Sequence, residues 1–182
     1  MNHCLSAMDR KRLRETINRL AQTTNPTSFA EVTTDFFYKV SGQSFTGWNE
    51  MEAATCRVTS AVIRGQLGSD VFTYAEAIPQ FLPFHPLLEH FVSGNQGTPI
   101  RICDITSTSQ FKDNPLYCEV YRQLHTLHQL VIPVALNAGL AVNISINRDN
   151  GEFDDRTIRI ANEMLPHLRQ GWKRLFLQQR PD

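Results

Sequence analysis

The chain has no excess of either charge. Its 18 Lys and Arg balance 18 Asp and Glu, so no net field draws it toward nucleic acid or acidic lipid. Long apolar runs are missing too. The longest, 130–136, is interrupted by Pro133 and is far too short to cross a bilayer. The opening Met1-Asn2-His3-Cys4 has no signal-peptide pattern. Cysteine is sparse: Cys4, Cys56, Cys103 and Cys118 are scattered without C-x-x-C spacing. In a leaderless chain such cysteines read as reduced thiols, and the expected location is the cytoplasm. Neither a G-x-S-x-G elbow, a phosphate-cradling glycine loop nor a dinucleotide fingerprint occurs. Metal-ligand spacing is also lacking. His125 and His128 are three apart, and His85 and His90 five apart. Odd spacing on a strand sends side chains to opposite faces, and neither a carboxylate nor a thiol joins them. There is no internal repeat and no low-complexity tract.

What is present suits one well-filled core of 182 residues. A helix is expected from Ser6 to Ala21, with Ser6 and Asp9 as a capping box and Leu13, Ile17 and Leu20 as its apolar stripe. A second is expected from Ser28 to Val40, with Ser28 and Glu31 as the capping box. Its Phe29, Phe36, Phe37 and Tyr38 read as core rather than as a ligand box. The segments 45–53 and 57–65 read as a hairpin containing Trp48 and Asn49. Trp48 is either core or the floor of a pocket. The stretch 66–86 is irregular, with Pro79, Pro83 and Pro86 set among Phe72, Tyr74, Phe81, Leu82 and Phe84. That much apolar side chain argues for a cover folded over a sheet. A short helix from Pro86, a strand over 99–105 and a turn or short helix over 107–113 follow.

The stretch Asn114–Trp172 organises the rest. Pro115–Leu124 has helical spacing, and His128–Leu136 with Gly139–Asn147 reads as a second hairpin through an Asn137-Ala138 link. In its second strand Leu140, Val142, Ile144 and Ile146 alternate with Ala141, Asn143, Ser145 and Asn147, giving one greasy face and one small, polar face. A final helix begins after Asp154, its expected N-cap, and is expected to kink at Pro166 and weaken at Gly171.

The runs NPLYCEVYRQL, HQLVIPVAL and GLAVNISINRDNGEFDDRTIRIANEMLPHL resemble the GAF-like sensor domain found ahead of the DNA-binding module in LuxR-family bacterial transcription regulators. The matching positions are Pro115, Leu116, Tyr117, Glu119, Tyr121, Arg122, Leu124, Gln129, Leu130, Asn147, Arg148, Phe153, Asp155, Leu165, Pro166, His167 and Leu168. The resemblance covers about half the chain and implies an α/β (α+β) fold. A central, mainly antiparallel sheet would be flanked by N- and C-terminal helices. Residues 1–182 would form one domain: helices over 1–42, sheet and pocket cover over 43–152, and the last helix over 153–180. The chain stops at Arg180-Pro181-Asp182, leaving no room for a helix-turn-helix module, so direct nucleic-acid contact by this chain is not expected.

The function expected is non-enzymatic small-molecule sensing, with any cofactor unidentified. Trp48, Asn49, Phe81, Tyr117, Tyr121, His128, Asn143 and Ser145 are the candidate ligand-binding residues, each with a core-packing alternative. Leu168, Trp172, Leu175 and Phe176 are the candidate seam of a homodimer. The alternatives are a ligand-free dimerisation module, a small enzyme using a cysteine such as Cys103 or Cys118, and haem held by His90, His125 or His128.

Overall fold

The computed structural model describes residues 5–42, 45–55, 57–65, 77–92, 97–137 and 139–178. Cys4, Cys56, the segment 66–76 with Phe72 and Tyr74, Ala138 of the expected Asn137-Ala138 link, and Arg180-Pro181-Asp182 lie outside the described residues. The elements run α1 (Ala7–Gln22), α2 (Pro26–Ser41), β1 (Phe45–Glu52), β2 (Val58–Arg64), α3 (Pro86–Val92), β3 (Ile100–Arg101), α4 (Thr108–Lys112), β4 (His128–Asn137), β5 (Leu140–Arg148) and α5 (Asp155–Gln178). The strands form one antiparallel sheet in the order β2-β1-β5-β4-β3.

Alternation along the strands divides the side chains between two faces. Trp48, Val142, Ile144, Ile146, Leu130 and Ile132 point to one face and are almost completely buried beneath α1, α2 and α5. Phe29, Phe37, Met164, Leu168, Trp172 and Leu175 supply the helical side of this core. Phe29 stands edge-on to Trp48, and Trp48 touches Trp172 at 5.2 Å between ring centroids. The Trp48 indole N–H, which burial would otherwise leave unpaired, donates to Glu50 Oε1. A second cluster, built on Leu87, Ile102, Phe111, Leu116, Val120 and Val131, joins residues 77–124 to the opposite face.

Local chemistry sets the element ends. Ser6 caps α1, its Oγ accepting from the Asp9 N–H. α2 starts earlier than the Ser28–Glu31 spacing suggests. Asn25 is the cap, with Oδ1 accepting from the Ser28 N–H, and Pro26 takes the first turn, where its missing N–H does no harm. Asp154 caps α5 through the Thr157 N–H and hydroxyl. That helix runs on through Pro166 and Gly171 to Gln178. Gly139, at φ +93°, makes the turn from β4 to β5. The strand expected over 99–105 ends after two residues. Asp104 folds back to accept from the Arg101 N–H and guanidinium, curling Ile102–Asp104 into a 3-10 turn. Nor is the 115–124 segment a regular α-helix. Tyr117–Tyr121 is a π-helical turn, with the Arg122 N–H donating to the Tyr117 carbonyl.

The ends of α1 are tied to α5. The Arg156 guanidinium donates to both Asp9 oxygens, at 3.0 and 2.5 Å, and also to the Val40 carbonyl. At the other end Arg174 donates to the carbonyls of Leu20, Ala21 and Thr23, in the last turn of α1 and its cap.

The seam expected along α5 is corrected by this packing. Leu168, Trp172 and Leu175 are buried within the chain, and Phe176 packs against the same cluster. Their stripe faces α1, α2 and the sheet.

Candidate ligand-binding site

A cavity of about 460 Å³ lies between the polar face of the sheet and the 77–91 cover. The register explains its lining. Gly47 pairs with Ser145, Asn49 with Asn143, and Met51 with Ala141 across β1 and β5. Across β4 and β5, Gln129 pairs with Asn147, Val131 with Ser145, and Pro133 with Asn143. These side chains line the cavity together with Tyr121. Pro133 cannot donate to a ladder, and the β4–β5 register slips beside it, between Pro133 and Ala135. Its carbonyl accepts instead from Arg169 of α5, which also lines the cavity. The cover supplies Ile78, Leu82, His85, Leu88 and Phe91.

One end of the cavity is polar and the other apolar. Toward the β1–β2 and β4–β5 turns the walls are mainly apolar, from Met51, Ala53, Val58, Ala135, Leu136 and Ala141, with Glu52 at their edge. The middle and far end carry a connected row of amides and hydroxyls. Asn49 Nδ2 donates to Asn143 Oδ1 at 3.1 Å and to Ser145 Oγ at 3.2 Å. Asn147 Nδ2 donates to the same Ser145 Oγ. Gln129 Nε2 donates to Asn147 Oδ1 at 2.7 Å and to the Tyr121 hydroxyl at 3.1 Å. His85 reaches down from the cover, its Nε2 lying 2.8 Å from Gln129 Oε1. Gly47 leaves room for this row, since a Cβ there would stand 3.0 Å from Ser145 Oγ.

The row is uncharged. Burial pushes the His85 imidazole down to about 4, with the Gln129 bond opposing, and pushes the Tyr121 phenol up to about 12. Both are therefore neutral at physiological pH. Buried polar groups in a low-dielectric site hold each other in fixed orientations, because an unpaired one is expensive.

Of the residues singled out from the sequence, the structure brings Asn49, Asn143, Ser145 and Tyr121 together around the cavity. It does not bring the other four. Trp48 points to the opposite face of the sheet, where alternation places it between Phe29 and Trp172. Phe81 packs in the second cluster, and its neighbour Leu82 faces the cavity instead. Tyr117 lies against Phe111, because the π-turn directs Tyr121 rather than Tyr117 inward. His128 Nδ1 pairs with Glu152 Oε1 at 2.9 Å. Sequence reasoning passed over Gly47, His85, Gln129 and Asn147 as site residues. Extending the period-2 alternation from Asn49 and Asn143 reaches Gly47 and Asn147. Nothing local in the sequence points to His85.

Two other chemistries find little support. Cys103 is pushed up to about 11, chiefly by burial, with Glu152 adding to the shift. Among the described residues, no group of three or more His, Cys, Asp or Glu side chains is arranged to hold a metal ion. Nor is any described helix long and apolar enough to cross a membrane.

No protein-family model matches the sequence, and no curated protein matches it. Solved structures do match the fold. The VqsR LBD domain from Pseudomonas aeruginosa aligns over 96% of this chain and 100% of its own, at a TM-score of 0.67 and 11% identity. The N-acylhomoserine lactone dependent LuxR-family transcription factor CepR2 from Burkholderia cenocepacia aligns over 96% and 98%, at 0.60 and 12% identity. Escherichia coli SdiA aligns over 92% of this chain and 68% of its own, at 0.54 and 10% identity. The chain thus has the α/β fold of LuxR-family ligand-binding domains, the fold that the PLYCEVYRQL and LPHL runs suggest.

Proposed function

We propose that this fold serves here as a non-enzymatic, cytoplasmic sensing domain that holds a neutral amphipathic small molecule between the sheet and the 77–91 cover. One observation carries the reading: a cavity with apolar walls at one end and an uncharged row of Asn, Ser, Gln and Tyr side chains at the other. Concave, mostly apolar sites with a few convergent polar groups are what small ligands occupy. The row itself carries no charge to pair with a phosphate or an isolated carboxylate, and a buried charge without a partner is costly; Arg169, a cation in the lining, stands at the Pro133 carbonyl. The fold likeness to CepR2, described as N-acylhomoserine lactone dependent, makes acyl-chain signals the first compounds to try. Because the cover lines the cavity, an occupant would favour one arrangement of the cover, and so shift the population of states that a partner reads.

The raised Cys103 pKa disfavours Cys103 as the nucleophile of the cysteine-enzyme alternative, because a thiol, not a thiolate, prevails there at neutral pH. Burial of Leu168, Trp172 and Leu175 within the chain argues against those residues as the seam of a ligand-free dimerisation module. Native mass spectrometry of protein purified without denaturation, then exposed to N-acylhomoserine lactones of several chain lengths and to simple neutral amphiphiles, tests the proposal. A discrete added mass, released on denaturation and lost on Gly47→Leu, is the expected result. No adduct with any of these compounds would refute it.

A further inference from the structure

The hydrogen-bond row has a direction, and one backbone group sets it. The Leu87 N–H donates to His85 Nδ1 at 3.1 Å. A backbone amide can only donate, so Nδ1 carries the lone pair and the neutral ring bears its proton on Nε2. Nε2–H then donates to Gln129, which fixes Oε1 as the atom facing His85. The Gln129 amide nitrogen is left to face Asn147 and Tyr121, and its two hydrogens go to Asn147 Oδ1 and the Tyr121 oxygen. Asn147 must therefore offer its nitrogen to Ser145. Ser145 Oγ accepts from both Asn147 and Asn49, so its own hydrogen points elsewhere. The Tyr121 oxygen likewise accepts from Gln129 and keeps its hydrogen to give. Asn143 accepts from Asn49 through Oδ1, leaving its N–H groups to donate. The Asn49 amide lies over Gly47, its Oδ1 and Nδ2 3.4 and 3.5 Å from the site of a Cβ there.

We infer that His85 is a specificity-determining residue. Through Gln129 it fixes the Tyr121 oxygen as an acceptor within the row and Asn147 as the donor to Ser145, so that, with Asn49 donating to Ser145 and Asn143, the cavity offers the O–H of Tyr121, the O–H of Ser145 and the N–H groups of Asn143 to its occupant. The occupant is accordingly a neutral amphiphile whose polar end carries acceptor oxygens, of the ketone or ester kind, and not a lone N–H or O–H donor. This rests on the ligand-sensing reading above and narrows it. A head group that only donates would leave three protein donors unpaired, and leaving buried donors unpaired is how polar sites reject a near-isostere. His85 acts at a distance from that head group, through Gln129, so its removal should change selectivity more than retention of the apolar tail.

Three probes of similar length separate the possibilities: methyl nonyl ketone, an α-nonylpyrrole that has an N–H and no acceptor oxygen, and undecane. Calorimetric titration of the protein should give the ketone about tenfold tighter binding than the pyrrole. In His85→Phe, where Gln129 is free to turn over, that ratio should collapse toward one while undecane binding is kept. Tyr121→Phe keeps the rest of the row and should weaken the ketone several-fold without affecting undecane, which covers the case of a His85 variant that does not fold. A long-range proton–nitrogen NMR correlation on the unliganded protein should show His85 as the neutral Nε2–H form. Equal binding of ketone and pyrrole, a preference for the pyrrole, or an Nδ1–H ring would overturn the inference while leaving the cavity as a ligand site. Failure of all three probes to bind would overturn the ligand-sensing reading and this inference with it.

Discussion

Replacing Gly171 by Ala sets two effects of opposite sign against each other. Helix propensity alone favours Ala over Gly by about 1 kcal/mol inside a helix, and α5 continues from this position to Gln178. Packing says otherwise. A Cβ at Gly171 would stand 2.5 Å from Phe29 Cε2 and 3.0 Å from Cζ. The ring cannot withdraw freely, because Phe29 is fully buried and set edge-on against Trp48, which in turn meets Trp172. Inserting a methyl group into a filled core costs roughly 1–3 kcal/mol. The net expectation is a loss of about 1 kcal/mol, the reverse of what an exposed helix glycine would give. Urea unfolding followed by tryptophan fluorescence suits the measurement, since Trp48 and Trp172 are the two tryptophans of the chain and both sit in this cluster. Phe29→Leu removes the far edge of the ring. In a double-mutant cycle, Gly171→Ala should then be tolerated better when Phe29→Leu is already in place, with a coupling of about 1 kcal/mol or more. If Gly171→Ala stabilises by the full propensity difference, the close approach of α2 to α5 is not the constraint it is argued to be.

Other predictions concern the same core and its edges. Trp172→Ala should destabilise the chain by about 3–5 kcal/mol in urea unfolding, as expected of a buried aromatic, whereas a residue at an intersubunit seam would chiefly change the solution mass. Asp9 is held down at about 2, mainly by the Arg156 guanidinium, against an ordinary value of 3.8. A carboxylate with a depressed folded-state pKa stabilises the fold above its unfolded pKa and loses that contribution as pH falls from about 4 through about 2. Asp9→Asn should therefore cost about 2 kcal/mol at pH 7 and flatten the acid limb of the stability profile between those values. Raising Cys103 from 9.0 to about 11 lowers its thiolate fraction at neutral pH by about a hundredfold, so iodoacetamide should modify it far more slowly than a free thiol. Fast labelling there would reopen the cysteine-enzyme alternative.

The fold was legible where periodicity is strict. Val142, Ile144 and Ile146 alternate with Asn143, Ser145 and Asn147, and that alternation alone separated core from cavity on β5. Capping chemistry located the start of α1 at Ser6 but misplaced the start of α2, because Asn25-Pro26 competes with Ser28 for the same role. The site was legible on the strands and not on the cover. Asn49, Asn143 and Ser145 follow from period 2, as would Gly47. His85, by contrast, meets Gln129 across 44 positions of sequence, through a contact with no local signature. Trp48 was ambiguous for a physical reason: a large aromatic on a half-buried strand serves equally as core or as pocket wall, and only strand orientation decides. Along α5 the long apolar stripe suggested a second copy. The sequence does not reveal that α1 and α2 lie across it, because helix–helix docking is not encoded in either helix alone.

The double tether of α1 has a consequence for where this chain can be cut. Asp9 is held by Arg156 near one end of α1, and the carbonyls of Leu20, Ala21 and Thr23 are held by Arg174 at the other. The first helix is thus no detachable leader. A recombinant fragment beginning at α2 would take Asp9 from Arg156 and three carbonyls from Arg174, and bare the α5 surface that Leu13 and Leu20 help to cover. Amide protons of α1 and α5 should exchange with solvent together, as one cooperative unit. Any minimal version of the domain made for binding studies has to begin before Ser6.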